Sequence, residues 1–425
     1  MMNGSAIEHF VFKDNLLRLL TLYSVIFLGS LGYFIVMPVY AELILNPLHS
    51  ILPQHLDMPA RRIIFSLVSA FAPLLTLCIA PIIGHLSDRL GRKQVLLFCL
   101  SLALISFLLP ITAIFMGSIT LLFISNAINS AASASQPIAQ AALTDISTGR
   151  AKAYLMGLSA SSMTAAMSFG PALGSYLIKI SFDATFWCSA LFTLINIILV
   201  YLTFPHKASN SNPLISTSIT THPQQEKTTF FASFKQCSSL AITMLALVFL
   251  CQLAWSFYYQ NIGYTVISIW HLSLSSTVYQ HIMLTIGISM IFSLLVLYPL
   301  IIRIITIKQC LSLCLTLFAL SMIIISLTHA LWLYKIMIIP LSASIAMAYP
   351  CYIATLSNAL SKHHQGWGLA LAGGLMGISW TVSGSLSGII ANIDLNLANW
   401  LAVIVIIFAL LLLLKNDNKT QEKTA

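Results

Sequence analysis

With 425 residues, 58% of them hydrophobic and only 7% charged, the chain holds far too few charges for a water-facing surface, which needs about a quarter. That balance excludes a soluble globular domain and makes this an integral membrane protein. Its formal charge of +9 then reports a surface beside anionic lipid, and a nucleic-acid partner has no support.

Apolar runs long enough to cross a bilayer follow one another along the first half, at Leu19–Leu43, Ile63–Ile83, Val95–Phe115, Ile119–Leu143, Tyr154–Leu177 and Phe186–Phe204. A polar gap intervenes. The second set is Leu240–Val266, Val278–Ile302, Cys310–Leu327, Leu333–Leu356, Leu369–Ile390 and Leu401–Leu414. In lipid every backbone polar group needs an internal partner, and these runs are too long and too continuously apolar for barrel strands. The fold class expected is therefore all-α, with 12 transmembrane helices as two six-helix bundles: residues 1–204, a cytoplasmic linker at 205–236, and residues 237–425 with a short cytoplasmic tail. The first run is too long for a signal-peptide core and no small-residue cleavage site follows it, so it is expected to stay as an anchor.

Charge placement orients the helices. With a cytoplasmic N-terminus, sixteen of the twenty Lys and Arg residues fall inside, leaving Arg61, Arg62, Lys179 and Lys335 outside. The C-terminus is then cytoplasmic too. Trp187, Trp270, Trp332 and Trp400 lie near the outer boundaries, as an interfacial belt requires. The eight cysteines sit in or beside the spans, which argues against a disulfide framework. Cys310 and Cys314 lack a neighbouring His or acid and read as packing residues, so no metal and no cofactor are expected.

Between the second and third spans stands GHLSDRLGRK, Gly84 to Lys93. A positive-inside loop accounts for Arg89, Arg92 and Lys93, and glycines at Gly84 and Gly91 allow a tight reversal. It does not account for Asp88. An acid among bases points to docking against a helix N-terminus or an arginine.

This stretch resembles the signature G-x-L-x-D-R-x-G-R-K of the major facilitator superfamily and matches it at every specified position. The resemblance implies a latch between two six-helix halves that holds an outward-open state. Carried onto this chain, Asp88 would meet the start of the eleventh helix near Gly366–Gly368, and Arg92 would pair with Asp145, with Arg150 in the same inner cluster. In the fifth span, AMSFGPALGS is similar to G-x-x-x-G-P-x-x-G-G of the drug and metabolite antiporter branches. Gly170 and Gly174 would admit a close neighbour and Pro171 would bend the helix into a hinge, although Ala166 and Ser175 replace two glycines. The second half keeps an eroded copy of the first motif, PLIIRIITIKQ, in which Pro299, Arg303 and Lys308 survive. Parallel repeats of this kind place a solute site near the bilayer midplane. The Ser/Thr/Asn/Pro-rich gap reads as flexible chain, with a short amphipathic helix at residues 230–234 as an option.

Ionisable groups inside the spans are scarce. Where drug exporters of the family carry an acid in the first helix and an Arg in the fourth, this chain has Gly29 and Ser125. Glu42, at the outer end of the first span, and His281, early in the eighth, are the titratable groups best placed for proton coupling. A neutral stripe of Ser125, Asn129, Ser133, Gln136 and Gln140 shares one face of the fourth span, fitting either a cavity wall or interhelical bonding. Tyr33, Gln252, Trp255, Tyr258, Tyr349, Tyr352 and Trp380 supply rings and an amide for an uncharged or weakly charged small molecule.

No loop is long enough to hold a catalytic constellation, so the protein is not an enzyme; the His363–His364 pair reads as loop. The reading is a monomeric secondary transporter in a bacterial-type inner membrane. It exchanges protons for a drug or metabolite on its way out by alternating access. The competing readings are an importer or facilitator of a metabolite such as an amino acid or siderophore, and a transport-dead receptor or scaffold.

Overall fold

The computed structural model describes the backbone of residues 4–146, 149–204, 238–328, 330–360 and 365–422. The expected linker at 205–236, its amphipathic option, and the side chains of Arg150, His363, His364 and Gly366 lie outside the described residues.

Everything described is helical or a short connection between helices. In chain order the helices are α1 (Gly4–Leu45), α2 (Met58–Leu90), α3 (Arg92–Met116), α4 (Ile119–Ala132), α5 (Ser135–Asp145), α6 (Gly149–Ile178), α7 (Phe182–Thr203) and α8 (Ser239–Tyr264). They continue with α9 (Thr277–Phe292), the four-residue α10 (Tyr298–Ile301), α11 (Ile307–Leu327), α12 (Leu331–Ala359), α13 (Gln365–Ile393) and α14 (Leu397–Glu422). Single π-helical turns extend α8 over Thr265–Ile269 and join α9 to α10 over Ser293–Leu297. Among the described residues ten segments are long and apolar enough to cross a membrane. The pair α4–α5 and the 30-residue α6 complete twelve helical passages.

The helices begin where the sequence offers side-chain acceptors. Asp57 accepts from the Ala60 N–H at 3.0 Å, Ser181 from Ala184 at 3.2 Å and Ser238 from Ala241 at 3.1 Å, and Thr306 with Gln309 closes a capping box before α11. Each cap satisfies a donor that lipid could not.

Two expectations are corrected here. The fourth span is not one helix: it breaks at Ser133–Ala134, and the Gln136 N–H reaches back to the Ser133 carbonyl at 3.1 Å. Pro137 explains the break, because its ring removes the donor that Ser133 would need and crowds that carbonyl. The neutral stripe is thereby split between α4 and α5. Secondly, Gly84 makes no turn; it lies inside α2, as do Asp88 and Arg89. The whole connection from α2 to α3 is Gly91, with φ +94° and its N–H bonded to the Ser87 carbonyl at 3.0 Å. Only a residue without Cβ adopts that angle at low cost.

α1 packs on α6 and α7, α3 on α4 and α7, and α2 on α4. Correspondingly α8 packs on α12, α13 and α14, α11 on α12 and α14, and α9 on α12. Two helix pairs cross between these sets, α2 with α13 and α6 with α9. One large buried cluster runs through α8, α9, α11, α12, α13 and α14 and extends into α1, α2 and α6 at Ile44, Phe65 and Ala172, whereas the rest of the α1–α7 interior is divided among three smaller clusters. Loops 46–57, 117–118, 179–181, 270–276 and 394–396, with residues 328 and 330, share one end of the bundle; Gly91 lies at the other.

Candidate functional site

At the Gly91 end a single guanidinium ties three helices. Arg92 places Nη1 2.7 Å from Asp88 Oδ1 and Nε 3.1 Å from Asp145 Oδ2, and Nη1 also donates to Ser87 Oγ at 3.2 Å. Both carboxylates stand in the last turns of helices, α2 and α5, where the helix dipole already brings negative potential. Arg92 offsets both at once. Neighbouring Lys93 caps the end of α7, donating to the carbonyls of Tyr201 at 2.9 Å and Phe204, with the Tyr201 ring 5.2 Å away. Arg89 is exposed. The carboxylate of Asp88 engages Arg92, and Gly368 packs against Leu360.

At the opposite end the first-half helices are tied to the second. Glu42, fully buried, accepts at Oε2 from the Leu274 N–H (3.0 Å) and at Oε1 from the Ser273 hydroxyl (3.0 Å), Asn46 Nδ2 (2.7 Å) and His49 Nδ1 (3.2 Å). Ser175 donates to the Leu274 carbonyl, and Arg62 reaches α13. His281 stands exposed near the start of α9.

At mid-depth the aromatic residues separate into two groups. Trp255, Tyr258 and Tyr352 are core: each is at most 2% exposed, and Trp255 lies 5.6 Å from Tyr258 and 5.8 Å from Tyr259 between ring centroids. Tyr33, Tyr349 and Trp380 are half-buried. Gln252 joins the groups, donating to the Tyr352 hydroxyl at 3.2 Å and accepting from Trp380 Nε1 at 3.4 Å. Across from it, Tyr33, Tyr40, Phe65, Ser69 and Asn126 border a cavity of about 30 Å³. A drug-sized solute needs roughly ten times that volume.

The neutral stripe bonds in three directions. Asn129 Oδ1 accepts from Ser106 at 3.3 Å, Ser133 Oγ lies 3.0 Å from Thr76 Oγ1, and Gln140 donates to Ser159 at 3.0 Å. These are ties to α3, α2 and α6. Gln136 is half-buried. In α6, Gly170 and Gly174 lie against α1, where a Cβ would come 2.5 Å from Phe34 Cβ and 2.0 Å from the Ile35 carbonyl oxygen. Pro171 lies between them within a continuous helix.

Sequence reasoning passed over several residues of this region. Tyr40 sits 3.5 Å from Ser125 Oγ, Asn126 donates to the Val68 carbonyl at 2.9 Å, and Gln260 donates to Ser383 at 2.7 Å. The amides of Asn126 and Gln260, isolated within apolar runs, were the available signal.

Set against known proteins, residues 22–267 match the profile described as Major Facilitator Superfamily. The class C tetracycline resistance protein of Escherichia coli is 29% identical over 181 residues, 43% of each chain. The class E protein of Escherichia coli is 24% identical over 229 residues, and the class H protein of Pasteurella multocida 27% over 177. The matched stretches thus span about half the length of these curated relatives, 42 to 53% of each. Among solved structures, a D-xylose-proton symporter superposes with a TM-score of 0.72 at 14% identity, covering 95% of this chain and 97% of that one. The human organic anion transporter MFSD10 (TETRAN) does so with 0.66 at 16%, covering 93% and 98%. With a profile match over more than half its length and that fold along nearly all of it, the chain belongs to the Major Facilitator Superfamily and is a multi-pass membrane transporter rather than an enzyme.

Proposed function

We propose that this transporter carries a drug or metabolite out of the cell in exchange for protons, by rocking two six-helix bundles, residues 1–204 and 237–425, about a solute site between them. Both termini are cytoplasmic in this reading, so the 46–57 loop faces outward and Gly91 faces the cytoplasm of a bacterial-type cell. The observation that carries alternating access is one-sided closure: Glu42, Ser175 and Arg62 tie the bundles together at the outward end, while Arg92 is occupied within its own bundle. This corresponds to an inward-facing state.

Similarity to tetracycline resistance proteins supports export, and tetracycline is the first probe to use. In the outward-facing state Asp88 would leave Arg92 for the start of α13, the gating role that the motif implies. Gly170, Pro171 and Gly174 form the hinge of α6 against α1. Tyr349, Trp380 and Gln252 line the solute path, with Tyr33, Asn129, Ser133 and Gln136 on its opposite wall. Glu42, buried at the outer clasp, takes the coupling proton, with His281 as the exposed alternative.

The test is accumulation in everted and right-side-out vesicles with and without a pH gradient. An exporter fills everted vesicles when their interior is acid, and Asp88→Asn abolishes the flux. A second reading, import of a metabolite, is favoured by the neutral Gly29 and Ser125 at the positions where exporters carry charges. Uptake confined to right-side-out vesicles would establish it, and unchanged flux in Asp88→Asn would remove the gate.

A further inference from the structure

Two adjacent arginines open α2, and they do different work. Arg61, 1% exposed, turns into its own hairpin: Nε donates to the Leu56 carbonyl at 3.0 Å, Nη2 to Pro53 at 3.1 Å, and Nη1 to the Ile44 carbonyl at 3.3 Å and to the Ser50 hydroxyl. It braces the loop between α1 and α2. Arg62, one residue on and about 100° around the helix, faces the other bundle. Its Nη1 donates to the Ala391 carbonyl at 3.0 Å and Asn392 Oδ1 at 3.4 Å, and its Nη2 to Ser268 Oγ at 3.3 Å.

Ala391 lies in the last turn of α13, where carbonyls lack intrahelical donors and the dipole is negative, so a cation is held there without an acid. The surroundings are built for close approach. Gly388 lies against the backbone of Arg62, a Cβ there falling 2.1 Å from its carbonyl oxygen; Tyr264 donates to that same oxygen at 3.4 Å, and Asn392 to the Pro59 carbonyl at 3.0 Å. Yet the grip is incomplete. Arg62 Nε is buried and finds no acceptor among the described residues, and two of its three bonds are 3.3 Å or longer. Water could replace every one of these partners, which suits a contact that must break in each cycle.

Resting on the alternating-access reading, we propose that Arg62 is the latch of the outward face: its guanidinium holds α2 to the end of α13 and to the π-turn after α8 while the pathway faces inward, and releases them when it opens outward. Glu42 clasps a separate segment, residues 273–274, on the α1 side. Arg62 is a positioning residue and touches no solute.

The test uses the full chain in intact cells, with the native cysteines replaced and a reporter cysteine at Ser69, which borders the small cavity below the latch. A membrane-impermeant maleimide is added outside. Arg62→Ala should raise the labelling rate roughly tenfold, the loss expected for one hydrogen-bonded charge, and Arg62→Lys should fall between. Arg61→Ala, which loosens only its own hairpin, should leave the rate unchanged. Where Arg62→Ala fails to reach the membrane, Ser268→Ala and Asn392→Ala each remove one acceptor and should each raise labelling by a smaller factor. Labelling unchanged in Arg62→Ala, or in both acceptor variants, overturns the latch. The wild type is assayed for flux in parallel. A wild type that moves no solute sinks the transport reading while leaving the labelling result to stand for the contact.

Discussion

Gly388→Ala tests the crossing of α2 and α13 through a single methyl group. The added Cβ would sit 2.1 Å from the Arg62 carbonyl oxygen and 2.6 Å from its carbon, both backbone atoms that no rotamer change can move. Ordinary contact needs more than an ångström beyond that, so the helices must part. Overpacking of this kind costs about 1–3 kcal/mol, and in the proposed alternating-access cycle it falls only on the state in which this end is closed. Alanine's better helix propensity favours both states alike and cancels. The population should shift toward outward opening by roughly 5- to 150-fold. Spin-label distances between the outer ends of α2 and α13, measured in nanodiscs, report it directly. Distance distributions identical to wild type in a well-folded Gly388→Ala protein would refute the packing argument.

Other consequences are open to simpler measurements. Arg92→Gln should cost little stability, at most about 1 kcal/mol for each pair, because the Asp88 and Asp145 side chains are 61% and 53% exposed. Flux should nevertheless fall severalfold; a normal flux would separate this cluster from gating. Glu42→Gln keeps the shape and removes the charge that Leu274 and Ser273 address, so proton-driven transport in vesicles should drop, and equal fluxes would take Glu42 out of coupling. Gly174→Ala should lower the melting temperature, by about 1–3 kcal/mol of overpacking against Ile35, whereas Gly263→Ala, with open space around it, should not. Gln252→Leu leaves the Tyr352 hydroxyl and Trp380 N–H without their partner, a cost of about 1–3 kcal/mol when such groups stay buried. Competition assays should reveal an altered solute preference.

The twelve passages were legible because lipid makes one demand of every residue in a span, and the apolar runs state it directly. Boundaries shifted outward by a few residues, as at Met58 and Leu90 around the run Ile63–Ile83, because helices continue past the hydrocarbon into caps such as Asp57. The break in the fourth span was also written in the chain, by Pro137. Asp88 stood out as an acid among bases, whereas the pairing of Arg92 with Asp145 came from the resemblance of GHLSDRLGRK to the family signature.

Arg62 was not readable in that way. Its acceptors are mainly a backbone carbonyl and small polar groups more than two hundred residues away, and a carbonyl leaves no mark in a sequence. The one available hint was an anomaly: two arginines together on the side that the positive-inside rule leaves poor in charge. Likewise nothing in an isolated aromatic says whether its ring will face a solute or another ring. Trp255 and Tyr258 became core because α8 is surrounded.

That enclosure has a mechanical side. Every residue of α8 from Cys251 to Ile262 is buried, so over this length the helix offers no flank to lipid and cannot roll or slide without carrying its neighbours along. α2, by contrast, exposes much of its length. α8 is thus an enclosed pillar, and deformation during a transport stroke should concentrate in exposed helices such as α2 rather than in α8. Amide exchange followed residue by residue would show α8 as the slowest segment of the chain.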